Sequence, residues 1–155
     1  GCEPGLFCPD LPLTRANAAY GIAHLVNGSY ASLDGPAFSD IAGSHWAYDS
    51  VQEIAARHIT YGCGNGQFCP NGTVSRATMA VFLRRATGIA YETPSQPTFY
   101  DVPKSHWAYG SIEGITREGW STGCTGSSSM YCPDDYVTRA QAVVFLAKAF
   151  EIWAE

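Results

Sequence analysis

A chain of 155 residues with 46% hydrophobic side chains is long enough for one compact domain or a tight array of small ones. Its net charge of -5, with nine Lys and Arg that form no run, excludes a general nucleic-acid or acidic-membrane surface, so any anion must be bound locally. The longest apolar stretches are short and interrupted, as in AVVFLAKAF at 142–150, and none spans a bilayer. Gly1 reads either as a processed terminus or as the edge of a longer chain.

In chain order, the first element is a Gly-rich loop, GCEPGLFCP (1–9), holding Cys2 and Cys8. A helix should follow from Thr14, whose hydroxyl can cap the first turn, through RANAAYGIAHLV to a glycine end at Gly28. After a polar linker, Ser44 is the expected N-cap of an amphipathic helix with Ala47, Val51, Ile54 and Ala55 on one face. A second loop, GCGNGQFCP (62–70), pairs Cys63 with Cys69 and leads to a helix from Ser75 to Gly88. The pattern then recurs. A Pro-containing linker, a helix opened by Ser105 with Ala108, Ile112 and Ile115, and the loop GCTGSSSMYCP with Cys124 and Cys132 precede a last helix from Thr138.

Local pairing is the simplest of the connectivities that six cysteines allow, and disulfides point to an oxidising compartment. Zinc is the competing reading. Structural zinc sites prefer about two to four residues between paired ligands, and no His lies beside any pair. The triplets starting at Asn27 and Asn71 match the glycosylation acceptor pattern, which is compatible with secretion.

These elements form an internal repeat. Trp46 recurs at Trp107, Cys63 at Cys124, and Cys2, Phe7, Cys8 and Arg15 at Cys63, Phe68, Cys69 and Arg76, all 61 residues apart. The longer last loop extends the offset to 63, from Arg76 to Arg139. The chain divides into the second half of a first repeat (1–28), a linker (29–37), a second repeat (38–88), a linker (89–98) and a third repeat (99–155). If each second helix needs the first helix of its own repeat, then Ala18, Ile22 and Leu25 form an uncovered apolar flank that a neighbouring copy or an upstream segment would cover.

The order Phe-x-Asp, His-Trp-Ala, Gly, Phe-x-Pro and Val-Thr-Arg-Ala opening a helix resembles the S-layer homology module of bacterial surface proteins. It is carried by Phe38, Asp40, His45, Trp46, Ala47, Gly62, Phe68, Pro70, Val74, Ser75, Arg76 and Ala77. The second set is Phe99, Asp101, His106, Trp107, Ala108, Gly123, Tyr131, Pro133, Val137, Thr138, Arg139 and Ala140. The resemblance implies a mainly α, pseudo-threefold bundle of helix-loop-helix repeats, here two and a half of them with disulfide-stapled loops. It also implies a location at the bacterial cell surface and inter-repeat grooves that bind secondary cell-wall polysaccharide, often pyruvylated. Family members commonly carry Glu after Thr-Arg-Ala, where this chain has Asn17, Thr78 and Gln141; only Thr138 with Gln141 keeps a good capping box.

Arg15, Arg76 and Arg139 each follow an N-cap, where free backbone N–H groups and a guanidinium could together hold an acidic sugar. The alternative is that each Arg pairs with an Asp or a carbonyl to hold repeats together. Trp46 and Trp107 are expected to pack into the core with the indole N–H bonded, or else to stack on a sugar ring. His45 and His106 read as local cap or core partners, and Trp120 and Trp153, without repeat equivalents, as part of a surface particular to this chain. No catalytic motif, metal site or cofactor signature is present, which argues against an enzyme. Two functions follow: a module attached to wall polysaccharide through Arg-centred grooves, or a self-assembling subunit of an extracellular filament or lattice.

Overall fold

The computed structural model describes residues 5–30, 32–124 and 128–152. Five helices follow one another: α1 (Arg15–Ala23), α2 (Tyr48–Ala56), α3 (Arg76–Thr87), α4 (Tyr109–Arg117) and α5 (Arg139–Ala149). The described residues hold isolated β-bridges and no sheet, so the architecture is the mainly α one expected.

A ring of backbone hydrogen bonds organises the helices. Leu13 N–H donates to the Val137 carbonyl at 2.8 Å, Val137 to Val74 at 2.9 Å, and Val74 back to Leu13 at 2.9 Å. These three buried residues each stand just before the cap of α1, α5 and α3, so the ring is a pseudo-threefold axis built from equivalent positions. The hydroxyls of Thr14, Ser75 and Thr138 accept the backbone N–H three residues on, as expected. Only Thr138 with Gln141 completes a reciprocal capping box.

The other helix starts need correction. α2 begins at Tyr48 and α4 at Tyr109, with Ala47 and Ala108 at the N-cap rather than Ser44 and Ser105. Imidazole Nδ1 of His45 and of His106 accepts the N–H of the N-cap residue itself, Ala47 and Ala108, at 3.1 and 3.2 Å, and no side chain caps the first turn of either helix. α1 ends at His24, four residues short of Gly28, whereas α3 does end on left-handed Gly88.

The Cys63–Cys69 and Cys124–Cys132 bridges are present, with Cα separations of 6.1 and 5.8 Å. Cys2, the expected partner of Cys8, lies outside the described residues. Cys8, Cys69 and Cys132 all have positive φ, so one loop conformation is used three times. Gly62 is required there: a Cβ would lie 2.2 Å from the Gln67 carbonyl oxygen. Phe68 and Tyr131 fill the joints between repeats and are fully buried, while Phe7 remains half-exposed.

Helix cover is supplied across repeats. α2 packs on α1 and α4 on α3, while α5 touches α1 and α3. Ala18 and Ile22 are therefore buried, which corrects the expected open flank at Ala18, Ile22 and Leu25; only Leu25 stays half-covered. The open face belongs to α5. Val143 and Val144 are 52% and 53% exposed, whereas Ala19 and Ala80, which occupy the position of Val143 in α1 and α3, are 0% exposed.

Candidate polysaccharide cleft

Each helix that follows a cysteine loop starts against the next such loop. The N–H groups of Arg76 and Ala77 donate to Asp135 and Pro133 carbonyls, both at 2.9 Å. Those of Arg15 and Ala16 donate to Gly72 and Pro70, and those of Arg139 and Ala140 to Leu11 and Pro9. The backbone donors expected to face an acidic sugar are thus consumed inside the protein. Any anion must be met by side chains.

The Arg76 guanidinium is buried and clamps the third cysteine loop. Its Nε donates to the Tyr131 carbonyl at 2.7 Å and its Nη2 to Gly123 O at 3.0 Å and Ser121 Oγ at 3.4 Å. It lies 4.6 Å over the Tyr131 ring. Burial in this packing, against the opposing effect of Arg76, pushes the Tyr131 phenol up to about 12. Arg15 repeats the construction on Phe68 O at 2.7 Å and Thr60 Oγ1 at 3.5 Å, and burial holds it below its ordinary value despite the attraction of Asp40. Arg139 is half-buried, 5.2 Å over the Phe7 ring. All three arginines thus take part in holding repeats together.

Asp40 and Asp101 complete the Arg15 and Arg76 clamps, a role that sequence reasoning misses. Asp40 accepts the N–H groups of Phe68 (2.7 Å) and Cys69 (2.8 Å), and Asp101 those of Tyr131 (2.8 Å) and Cys132 (2.7 Å). The recurrence of Phe-x-Asp ahead of the second and third cysteine loops is the signal that marks them.

Arg76 also lines a cleft of about 300 Å³ between the end of the α4 connection and the open side of α5. Trp120, Val144 and Phe145 form its apolar wall; Ser121, Thr122, Gln141 and Lys148 supply polar groups, and no carboxylate lines it. The cleft is therefore lined by two cations and no carboxylate, and Lys148 Nζ donates to Gly119 O at 3.4 Å. Trp120 is the residue whose lack of a repeat equivalent marked it in the sequence; Trp153 lies outside the described residues.

Trp46 and Trp107 are not core residues. They are 59% and 66% exposed, because Ala47, Val51 and Ile54, and Ala108, Ile112 and Ile115, take the inward positions. Each indole stacks on its neighbouring His, with ring centroids 5.6 and 5.8 Å apart, and neither lines the Arg76 cleft. Asn27 and Asn71 are exposed. Among the described residues no group of three or more His, Cys, Asp or Glu is placed to hold a metal, and no helix is long and apolar enough to cross a membrane.

The chain is 29% identical over 97% of its length to cell surface glycoprotein 1 of Acetivibrio thermocellus, and 31% identical over 96% to an uncharacterised cell wall amidase of Bacillus anthracis. It is also 31% identical over 96% to an S-layer protein of Bacillus thuringiensis subsp. finitimus. It spans 7%, 27% and 18% of those three proteins' lengths. The S-layer homology domain model matches residues 37–80 and 98–143, more than half of the chain, and the protein belongs to the S-layer homology domain family.

Proposed function

We propose that this module holds its parent protein non-covalently to an acidic, pyruvylated secondary cell-wall polysaccharide through Arg-centred clefts between repeats, and that it has no catalytic role. The family is one of cell-surface and cell-wall-binding modules, which locates the chain at the bacterial surface. The observation that carries the finer reading is the Arg76 cleft. An acidic substituent would meet Arg76 and Lys148, while the sugar ring would lie against Trp120 and Val144. Arg76 has Nε and Nη2 committed to the loop, leaving Nη1, among the described residues, without a hydrogen-bond partner.

The test is co-sedimentation with purified cell-wall sacculi before and after removal of the pyruvyl groups. Because Arg76 also holds the fold, the informative variant is Trp120→Ala with Lys148→Ala, checked for an unchanged circular dichroism spectrum. Binding should fall at least about tenfold for a lost stack and a lost charge pair. Undiminished binding removes the mechanism.

A second reading, a self-assembling subunit of an extracellular filament or lattice, is favoured by Val143 and Val144 on the open side of α5. A contact made there by another copy would be heterologous and could propagate. A monodisperse monomer at high concentration in sedimentation velocity would sink it.

A further inference from the structure

A separate cleft of about 450 Å³ lies between α1 and the start of α2, lined by Tyr20, Tyr30, Trp46, His24, Asp49 and Glu53 among others. Its three aromatic side chains are 46%, 43% and 59% exposed, in the order named. Trp46 is held in place: His45 stacks on one side of it, and His45 itself is fixed by the Ala47 N–H. Tyr20 stands 5.8 Å from Trp46, tilted by 58°, and 4.0 Å from the His24 ring. The result is a preformed aromatic surface that needs little ordering before contact.

The two charged groups of this cleft, Asp49 and Glu53, are acceptors, beside hydroxyls of Tyr20, Tyr30 and Ser50 that can act either way. The Tyr20 carbonyl can only accept, so His24 Nδ1 donates to it at 2.8 Å and Nε2 of the neutral ring remains an acceptor. Asp49 is exposed and has no hydrogen-bond partner among the described residues. Glu53 is paired with Arg57 at 2.9 Å, and Arg57 is further tied to the Asn27 and Gly28 carbonyls. A ligand here must offer donors and an apolar face, and an acidic substituent would be repelled by Asp49.

The equivalent cleft between α3 and α4 is filled by the protein itself. Gly110 and Gly114 stand there in place of Asp49 and Glu53, and the 89–92 linker lies against them. A Cβ at Gly110 would come within 2.9 Å of the Tyr91 ring, and one at Gly114 within 2.9 Å of the Ala90 carbonyl oxygen. Glu92 N–H donates to Gly110 O at 3.1 Å. Asp49 and Glu53 carry the side chains that forbid this backbone approach on α2, so one of two related clefts stays open.

We propose that the Tyr20–Trp46 cleft is a second carbohydrate site, which takes the apolar face of a pyranose ring that carries no acidic group. Trp46 and Tyr20 stack on the ring, and Asp49, Glu53 and His24 accept from its hydroxyls. The site shares no lining residue with the Arg76 cleft and does not depend on anion binding there.

The test uses 15N-labelled protein with cellotetraose and maltotetraose as neutral probes and tetragalacturonate as the acidic one. The Trp46 and Trp107 indole N–H signals are first assigned with Trp→Phe variants. A neutral tetrasaccharide at millimolar concentration should move the Trp46 signal and leave Trp107 in place. Tyr20→Ala should weaken that response about tenfold, as expected for one lost stack, while Lys148→Ala leaves it unchanged. Failure of both neutral probes to move Trp46, equal movement of Trp107, or tighter binding of tetragalacturonate would overturn the site. Loss of sacculus binding in the Trp120→Ala, Lys148→Ala variant with the Trp46 response intact would separate the two clefts.

Discussion

The carboxylate of Asp40 receives the backbone N–H of Cys69 at 2.8 Å, so a residue 29 positions away in sequence holds the second cysteine in its left-handed conformation. Partial burial raises its pKa, but the N–H groups of Phe68 and Cys69, with Arg15 nearby, lower it further, and the carboxyl ends below its ordinary 3.8. A depressed folded-state value means that this contribution to stability is present above pH 3.8 and is lost as pH falls through the lower folded value. The melting temperature of the native chain should therefore drop steeply with acidification in that window. Asp40→Asn, which keeps the shape but loses the charge and presents an amide, should cost about 1–3 kcal/mol at neutral pH and flatten the acid limb. An acid limb of the same steepness in the variant would assign the transition to other carboxyls.

The two described disulfides close short rings, Cys63 to Cys69 with a separation of 6 and Cys124 to Cys132 with a separation of 8. Loop-entropy arguments put each bridge at about 2–3 kcal/mol. That entropy is removed from the unfolded chain, so the Asp40 and Asp101 contacts, which exist only in the folded state, do not substitute for it, and reduction should cost about that much per loop. Denaturant titration with and without reductant measures it. No change in the midpoint would show that the bridges add nothing to stability beyond the other loop contacts and would overturn the loop-entropy account.

What can be read in the sequence is what depends on neighbouring residues. The caps at Thr14, Ser75 and Thr138 are readable because a hydroxyl reaches a backbone N–H three residues on, and the 61-residue offset makes the repeat visible without any fold. Ser44 resembles a cap equally well, but the His45 turn delays the helix to Tyr48, and that shift turns Trp46 outward. The Arg76 clamp reaches partners 45 to 55 residues away, and no local pattern marks a carbonyl as its acceptor. The open face of α5 is hidden for a related reason: a repeat can be counted from sequence, but which repeat covers which helix is decided only by packing.

Tyr131 is fully buried, and its hydroxyl donates to the Arg76 carbonyl at 3.2 Å. Burial raises its pKa from 10.0 to about 12, so it favours the folded state fully below pH 10, and that contribution is lost as pH climbs toward 12. Phe68 fills the equivalent joint without a hydroxyl, and Tyr131→Phe should accordingly fold, at a cost of about 1 kcal/mol for the lost hydrogen bond. Its melting curve should lose the alkaline decline between pH 10 and 12. An unchanged decline would place the responsible group elsewhere, with Arg15, held below its ordinary value by burial, next to be tested.

Ala80 and Val143 occupy the same position in α3 and α5 yet meet opposite surroundings, the first 0% and the second 52% exposed. Aspartate at Ala80 must be buried without a partner, a change that costs several kcal/mol, ~3 or more. Aspartate at Val143 stays in water and should shift stability by no more than about 0.5 kcal/mol, close to the helix-propensity difference alone. It should also lower the binding of an apolar dye if the Val143–Val144 face is the patch the dye finds. Paired thermal melts of the two variants read the comparison directly. Equal destabilisation would mean that α5 is covered in solution, and a concentration-dependent melting temperature in the native chain, lost in Val143→Asp, would identify the cover as a second copy.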